Sequence, residues 1–189
     1  MRAAVRLPRN MSEQELLSEI ASGNLGGLGI LFDQYEADVR RFIGQLGVRP
    51  AEVDDLVQMT FLDVPHAAAA FDGRSAVRSW LFGLAAMVVR RHRRSVGRLA
   101  AGLVAWGRQP LREAPSAGER LEIHEEAARA ERALLRLSQK KREVFVMVEL
   151  EEASGKDAAR ALGIPLATVW TRLHHARREL REFLAEEGS

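Results

Sequence analysis

Leu28, Leu31, Phe32, Tyr35, Val39, Phe42, Ile43 and Leu46 recur at helical spacing, and Gly47 closes the run. That period belongs to a helix with one buried face. Upstream, "SEQELLSEIASG" opens on Ser12, carries Glu15 three residues later and stops at Gly23, which reads as a capping box and a C-terminal glycine around a shorter helix. Downstream, Pro50 suits the first turn of a third helix through "AEVDDLVQMTFLDV". Pro65 is expected to end or kink it near Val64. "FDGR" reads as a turn pivoting on Gly73. Ser75 is then the expected cap of a fourth helix, "AVRSWLFGLAAMVVRRHRRS", apolar at first and basic at its end. "LAAGLVAW" either prolongs that helix or packs locally.

The pattern breaks at residues 107–118, "GRQPLREAPSAG", where two prolines and two glycines mark a join. Helix returns with "ERLEIHEEAARAERALLRL", then "QKKREVFVMVEL" behind Ser138, then "GKDAARAL" between Ser154 and Gly163. No segment alternates as a strand does, and no repeat of solenoid type is present. The expected fold class is therefore all-α: two small helical domains, residues 12–98 and 121–187, joined by a flexible linker over 99–120.

Composition narrows the function classes. Of 189 residues, 47% are hydrophobic and 29% charged, enough for a core and a wet surface. No apolar run reaches the length of a membrane span, and "MRAAVRLPRN" lacks the apolar stretch of a signal peptide, so membrane insertion is not expected and a cytoplasmic location is. The absence of cysteine removes disulfides and thiolate metal sites. His174 and His175 are adjacent and point about 100° apart on a helix, a poor metal pair, and His66, His92 and His124 are scattered. Nor is there a phosphate-binding glycine loop or a convergent Ser/His/Asp pattern. We expect no enzyme, no cofactor and no metal. The net charge is only +2, but its distribution is uneven: residues 1–89 hold 8 basic against 11 acidic side chains, whereas residues 90–98, "RRHRRSVGR", hold 5 arginines and no acid. A block of that kind suits a polyanion.

The stretch "SGKDAARALGIPLATVWTRLHHARREL" carries the most specific signal. Two short helices meet at a tight turn containing Gly163 and Pro165, the plan of a helix-turn-helix. Val169, Leu173, Ala176 and Leu180 share one face, which can pack on Ala158, Ala159 and Leu162. The other face holds Thr168, Trp170, Thr171, His174, His175, Arg177 and Arg178. Hydroxyls and imidazoles suit base edges and sugars, and arginines suit phosphates.

These residues resemble the recognition segment of RNA polymerase sigma factors of the extracytoplasmic-function group. "AEVDDLVQMTFLDV" and "FDGRSAVRSWLFGLAAMVVRRHRR" are similar to two further segments of the same family, in the same order, so the resemblance covers roughly residues 12–98 and 125–184. It implies a transcription-initiation factor that binds core RNA polymerase, through the clamp of the largest subunit and the flap, and promoter DNA, helps melt the duplex, and is commonly held by an anti-sigma factor. By the same resemblance Thr168, Trp170, Thr171, Arg172, His174, His175, Arg177 and Arg178 face the −35 element. Phe71, Arg74, Arg78, Met87, Arg90, Arg91 and Arg94 face the −10 element, and Asp54, Asp55 and Gln58 face core polymerase.

The chain departs from the family pattern at several places. Met59 replaces an acid, Pro65 a commonly aromatic residue, Gly83 and Met87 polar groups, Trp170 a basic residue and His175 an arginine. Two other readings are a helix-turn-helix regulator that works without polymerase, and a degenerate sigma acting as an interaction protein. The two promoter elements lie further apart than residues 99–120 alone can span, about 73 Å at ~3.3 Å per residue. An extended active form and a closed or partner-blocked resting form are therefore expected.

Overall fold

A computed structural model describes residues 11–105 and 123–186; the expected join at 107–118 lies outside the described residues. Eight α-helices are described in chain order: α1 Glu13–Ala21, α2 Gly26–Gln45, α3 Pro50–Ala67, α4 Val77–Ala105, α5 Ile123–Arg136, α6 Gln139–Phe145, α7 Gly155–Leu162 and α8 Leu166–Glu186. Among the described residues there is no strand. No helix among them is long and apolar enough to cross a membrane.

Local chemistry explains most boundaries. Ser12 and Glu15 form the reciprocal capping box: the Glu15 amide donates to Ser12 Oγ at 3.3 Å and the Ser12 amide to Glu15 Oε2 at 2.8 Å. Pro50 occupies the first turn of α3, where its missing donor costs nothing. Ser154 Oγ accepts from the Asp157 amide at 3.1 Å to start α7, and Gly163 ends that helix at φ 64, a left-handed value that a side chain resists.

Three boundaries differ from the sequence reading. Helix α3 runs past Pro65 to Ala67, because a proline in a last turn forfeits only one helical hydrogen bond before the chain tightens into a 3-10 turn at Ala68–Ala70. The first bond of α4 is accepted by the Ala76 carbonyl from Trp80, so Ser75 does not cap it. Helix α4 continues to Ala105, so residues 99–105 of the stretch assigned as linker are helical.

Helices α1–α4 wrap a core of Leu17, Ile20, Leu31, Phe42, Ile43, Leu56 and Leu81, with Phe42 and Phe82 stacked at 4.5 Å between ring centres. Helices α5–α8 close a smaller core of Leu137, Met147, Val169 and Leu173. Arg136 lies 4.0 Å over the Phe183 ring, joining α5 to α8. The two modules are docked: buried hydrophobic residues form one cluster running from Leu16 to Ala176, and α7 lies against α4. Between α6 and α7 the chain makes a π-helical turn, Val146–Leu150, and then places Glu152 at φ 54.

Candidate nucleic-acid interface

Helix α8 separates its two jobs by face. Val169, Leu173 and Ala176 are buried against α6 and α7, with Leu180 packed at the edge. The opposite face leaves Trp170, Thr171, His174, Arg177 and Arg178 exposed, with Thr168, Arg172 and His175 half-buried at its flanks. All eight expected −35 residues thus lie outside the core. Thr171 Oγ1 donates to the Ala167 carbonyl at 2.9 Å, which spends its proton and leaves its lone pairs outward. The imidazoles of His174 and His175 stand edge to face, 5.7 Å apart.

Trp170 is 49% exposed, and its ring leans on the start of α7. A Cβ on Gly155 would sit 2.8 Å from Trp170 Cη2, so the glycine makes room for the indole. Arg177 reaches Glu149, and Arg178 lies 3.7 Å from Glu182; these surface pairs are weak and open to exchange for phosphates.

Around α4 the picture is more divided. Met87, Arg91 and Arg94 line one exposed face, with Arg91 reaching Asp63. Phe71 tilts against Trp80 at 5.3 Å between ring centres, and both are half-buried against the core. Arg74 is exposed in the turn made by Gly73 at φ 70. Arg78 and Arg90 instead point into the junction between the modules: Arg78 meets Asp38 at 2.7 Å and also Glu151, and Arg90 meets Glu143 at 2.9 Å. Burial alone would raise the Asp38 carboxyl, but hydrogen bonds from Arg78 and Arg41 outweigh it and hold the group below the ordinary carboxylate range.

On α3, Asp54, Asp55 and Gln58 are exposed, and Asp54 pairs with Arg40. Met59 (44% exposed) and Leu62 (67%) extend that surface with apolar area. Leu62 had no place in the sequence reading, although it lies one helical turn beyond Gln58 and Met59.

The residues that sequence reasoning missed are the buried charges. Arg142 is 6% exposed and donates to the carbonyls of Leu134 (2.9 Å), Leu135, Leu137 (2.9 Å) and Leu46 (2.7 Å). It thereby caps the ends of α5 and α2, one in each module. Arg93 donates to the Leu46 and Gly47 carbonyls beside it, the latter at 3.0 Å. Burial, with Arg93 nearby, pushes the Arg142 guanidinium down to about 10. In the sequence Arg142 and Glu143 only end the polar stretch "SQKKRE" ahead of the apolar run "VFVMV", so nothing there marked them as buried.

An all-helical chain whose C-terminal helix-turn-helix presents donors outward, and whose N-terminal helices present an arginine face and an acidic patch, is the architecture of a DNA-binding transcription protein. The family model "Sigma-70 region 2" matches residues 31–99, and "Sigma-70, region 4" matches residues 127–180. The ECF RNA polymerase sigma factor SigC of Mycobacterium tuberculosis is 31% identical over 158 residues, spanning 83% of each chain. The sigma factor CnrH of Cupriavidus metallidurans is 29% identical over 92% of this chain and 94% of its own.

Among solved structures, CnrH in complex with the cytosolic domain of CnrY superposes with a TM-score of 0.66 at 26% identity, covering 92% of this chain and 97% of that one. RpoE from Bartonella quintana, solved with the anti-sigma factor NepR, shares the fold at a TM-score of 0.65 and 23% identity, covering 83% of this chain and 96% of that one. The chain belongs to the extracytoplasmic-function group of sigma-70 factors, the transcription-initiation subunits of RNA polymerase.

Proposed function

We propose that residues 12–98 hold core polymerase through Asp54, Asp55 and Gln58 and meet the −10 element through Phe71, Met87 and the arginines of α4, while residues 121–187 read the −35 element. The observation that carries this reading is the clean division of α8 between Thr168 and Arg178, where the buried positions are all small or aliphatic and the rest are all donors, acceptors or an indole. Thr168, Trp170, Thr171, His174 and His175 meet base edges and sugars, whereas Arg172, Arg177 and Arg178 meet phosphates. The exposed acids and apolar side chains of α3 fit a basic partner surface, where opposite charges speed docking and set register. The protein acts by binding and positioning in the cytoplasm, not by catalysing a reaction of its own.

RpoE was solved with an anti-sigma factor and CnrH with the cytosolic domain of CnrY, which supports an anti-sigma factor as a third partner here. The deciding experiment is run-off transcription on the DNA upstream of its own gene with purified core polymerase. A discrete transcript that needs the protein is expected, and its absence would overturn the reading.

Replacing both Arg177 and Arg178 by alanine should weaken binding to −35 DNA. The slope of log affinity against log salt should flatten by about 0.9 for each phosphate no longer neutralised, roughly two in all. A slope identical to the parent's would remove both residues from the phosphate-binding set. Fluorescence anisotropy across a salt series gives the slope directly.

A further inference from the structure

We propose that the C-terminal module is an internal competitor for the −10 surface: Glu143 and Glu151 occupy arginines that the promoter strand needs, and the missing side chain of Gly83 lets the module seat. The inference rests on the assignment of that surface to the −10 strand and adds its regulation.

The acidic half of the device is built by the backbone. The π-helical turn at Val146–Leu150 and the left-handed Glu152 aim Glu151 out of the C-terminal module. Its side chain is wholly enclosed, with Arg41 donating to its two oxygens at 2.8 and 2.7 Å. Arg78 joins the same carboxylate and also donates to the Glu151 carbonyl at 2.8 Å. On α6, Glu143 is 1% exposed and accepts from Arg90 at 2.9 Å and Gln139 at 3.0 Å. Carboxylate and phosphodiester oxygens compete for the same guanidinium fork. Arg78 and Arg90 therefore cannot serve Glu151 and Glu143 and a DNA backbone at once.

The steric half lies at Gly83, on α4 between Arg78 and Arg90. A cleft of about 350 Å³ opens beside Phe71 and Met87, the aromatic and thioether groups proposed to meet the −10 element, with Trp80 also lining it. Arg160 and Ala161 of α7 form its opposite wall, and Arg160 donates to the Arg74 carbonyl. The contact is possible only because position 83 has no side chain. A Cβ there would overlap the Ala161 carbonyl oxygen and lie 2.9 Å from its carbon and 3.1 Å from its Cα. Those are backbone atoms of a helix, which cannot swing aside. Gly83 is also one of the positions at which this chain departs from the family pattern.

Docked and strand-bound states therefore exclude each other. The measured affinity for the strand is the intrinsic affinity reduced by the fraction of molecules that are open. The full-length variant Gly83→Gln introduces an uncharged side chain, so any gain in DNA affinity reports opening and not added charge. Gly29→Gln, at an exposed site on α2 with no neighbour within 4 Å, controls for the loss of a helical glycine.

We expect Gly83→Gln to raise the radius of gyration in X-ray scattering and to bind a labelled single strand of the protein's own −10 element at least ~10-fold more tightly, as release of a state 90% closed requires. Gly29→Gln should change neither. A folded Gly83→Gln protein, checked by helical circular dichroism, with the parent's size and affinity would overturn the proposal. If that variant does not fold, the isosteric pair Glu143→Gln and Glu151→Gln decides, with the same gain expected and an unchanged affinity overturning it. Run-off transcription by the parent separates the two failures. A transcript with no effect of either variant sinks the internal competition alone. No transcript and no strand binding by any form sinks the −10 assignment and the competition with it.

Discussion

Core polymerase should fail to associate with a full-length protein in which Asp54 and Asp55 are both replaced by lysine. Both side chains are exposed, so the change costs little stability in the free protein. Loss of the Asp54–Arg40 pair matters little for the same reason, because a surface pair contributes at most about 1 kcal/mol. Against a basic partner the effect is far larger. Two attractions become two like-charge contacts, each worth several kcal/mol, so affinity should fall by at least ~100-fold. Co-elution with core polymerase on size exclusion measures this, with binding to −35 duplex as the control that must survive. Retained co-elution would move the polymerase contact away from this end of α3.

The largest effect on stability is expected at Arg142. Truncation to alanine leaves the carbonyls of Leu134, Leu135 and Leu137 without their charged donor, and that of Leu46 with Arg93 alone, in a site that is almost closed to water. Each buried carbonyl left unsatisfied costs about 1–3 kcal/mol, so the three together cost at least about 3 kcal/mol. That is a large share of the stability of a domain this size. Urea denaturation followed by circular dichroism should show a midpoint shifted strongly downward. A shift of under about 1 kcal/mol would mean that water replaces the guanidinium at those carbonyls. Arg142→Lys should recover only part of the loss, since an ammonium cannot reproduce the flat fork that reaches two helix ends.

How legible all this was depends on the kind of interaction. Local chemistry read through well: the Ser12–Glu15 box, Pro50, Ser154 and Gly163 sit where their backbone preferences put them, because each acts on its own neighbours. The division of α8 into buried and exposed faces read through for the same reason, since a 3.6-residue period needs no partner to be seen.

Pro65 misled because its cost depends on how many helical bonds follow it, and here the helix was ending anyway. The junction between the modules was invisible in the sequence. Arg78 and Arg90 look alike whether they face a phosphate or a carboxylate 73 or 53 residues further on, and a sequence shows the charge but not its partner. Arg142 and Glu143 were hidden more deeply still, as buried charges in a segment whose apolar neighbours already accounted for a helix.

The split between the two faces of α8 has an evolutionary corollary. Val169, Leu173 and Ala176 hold the helix in place, and none of them is available to DNA; Trp170, Thr171, His174 and Arg178 are available to DNA, and none of them fills the core. On the proposed reading of the −35 element, substitutions among the outward residues shift which genes the protein switches on while leaving the core untouched, and a new regulon is reachable by drift at a handful of surface positions.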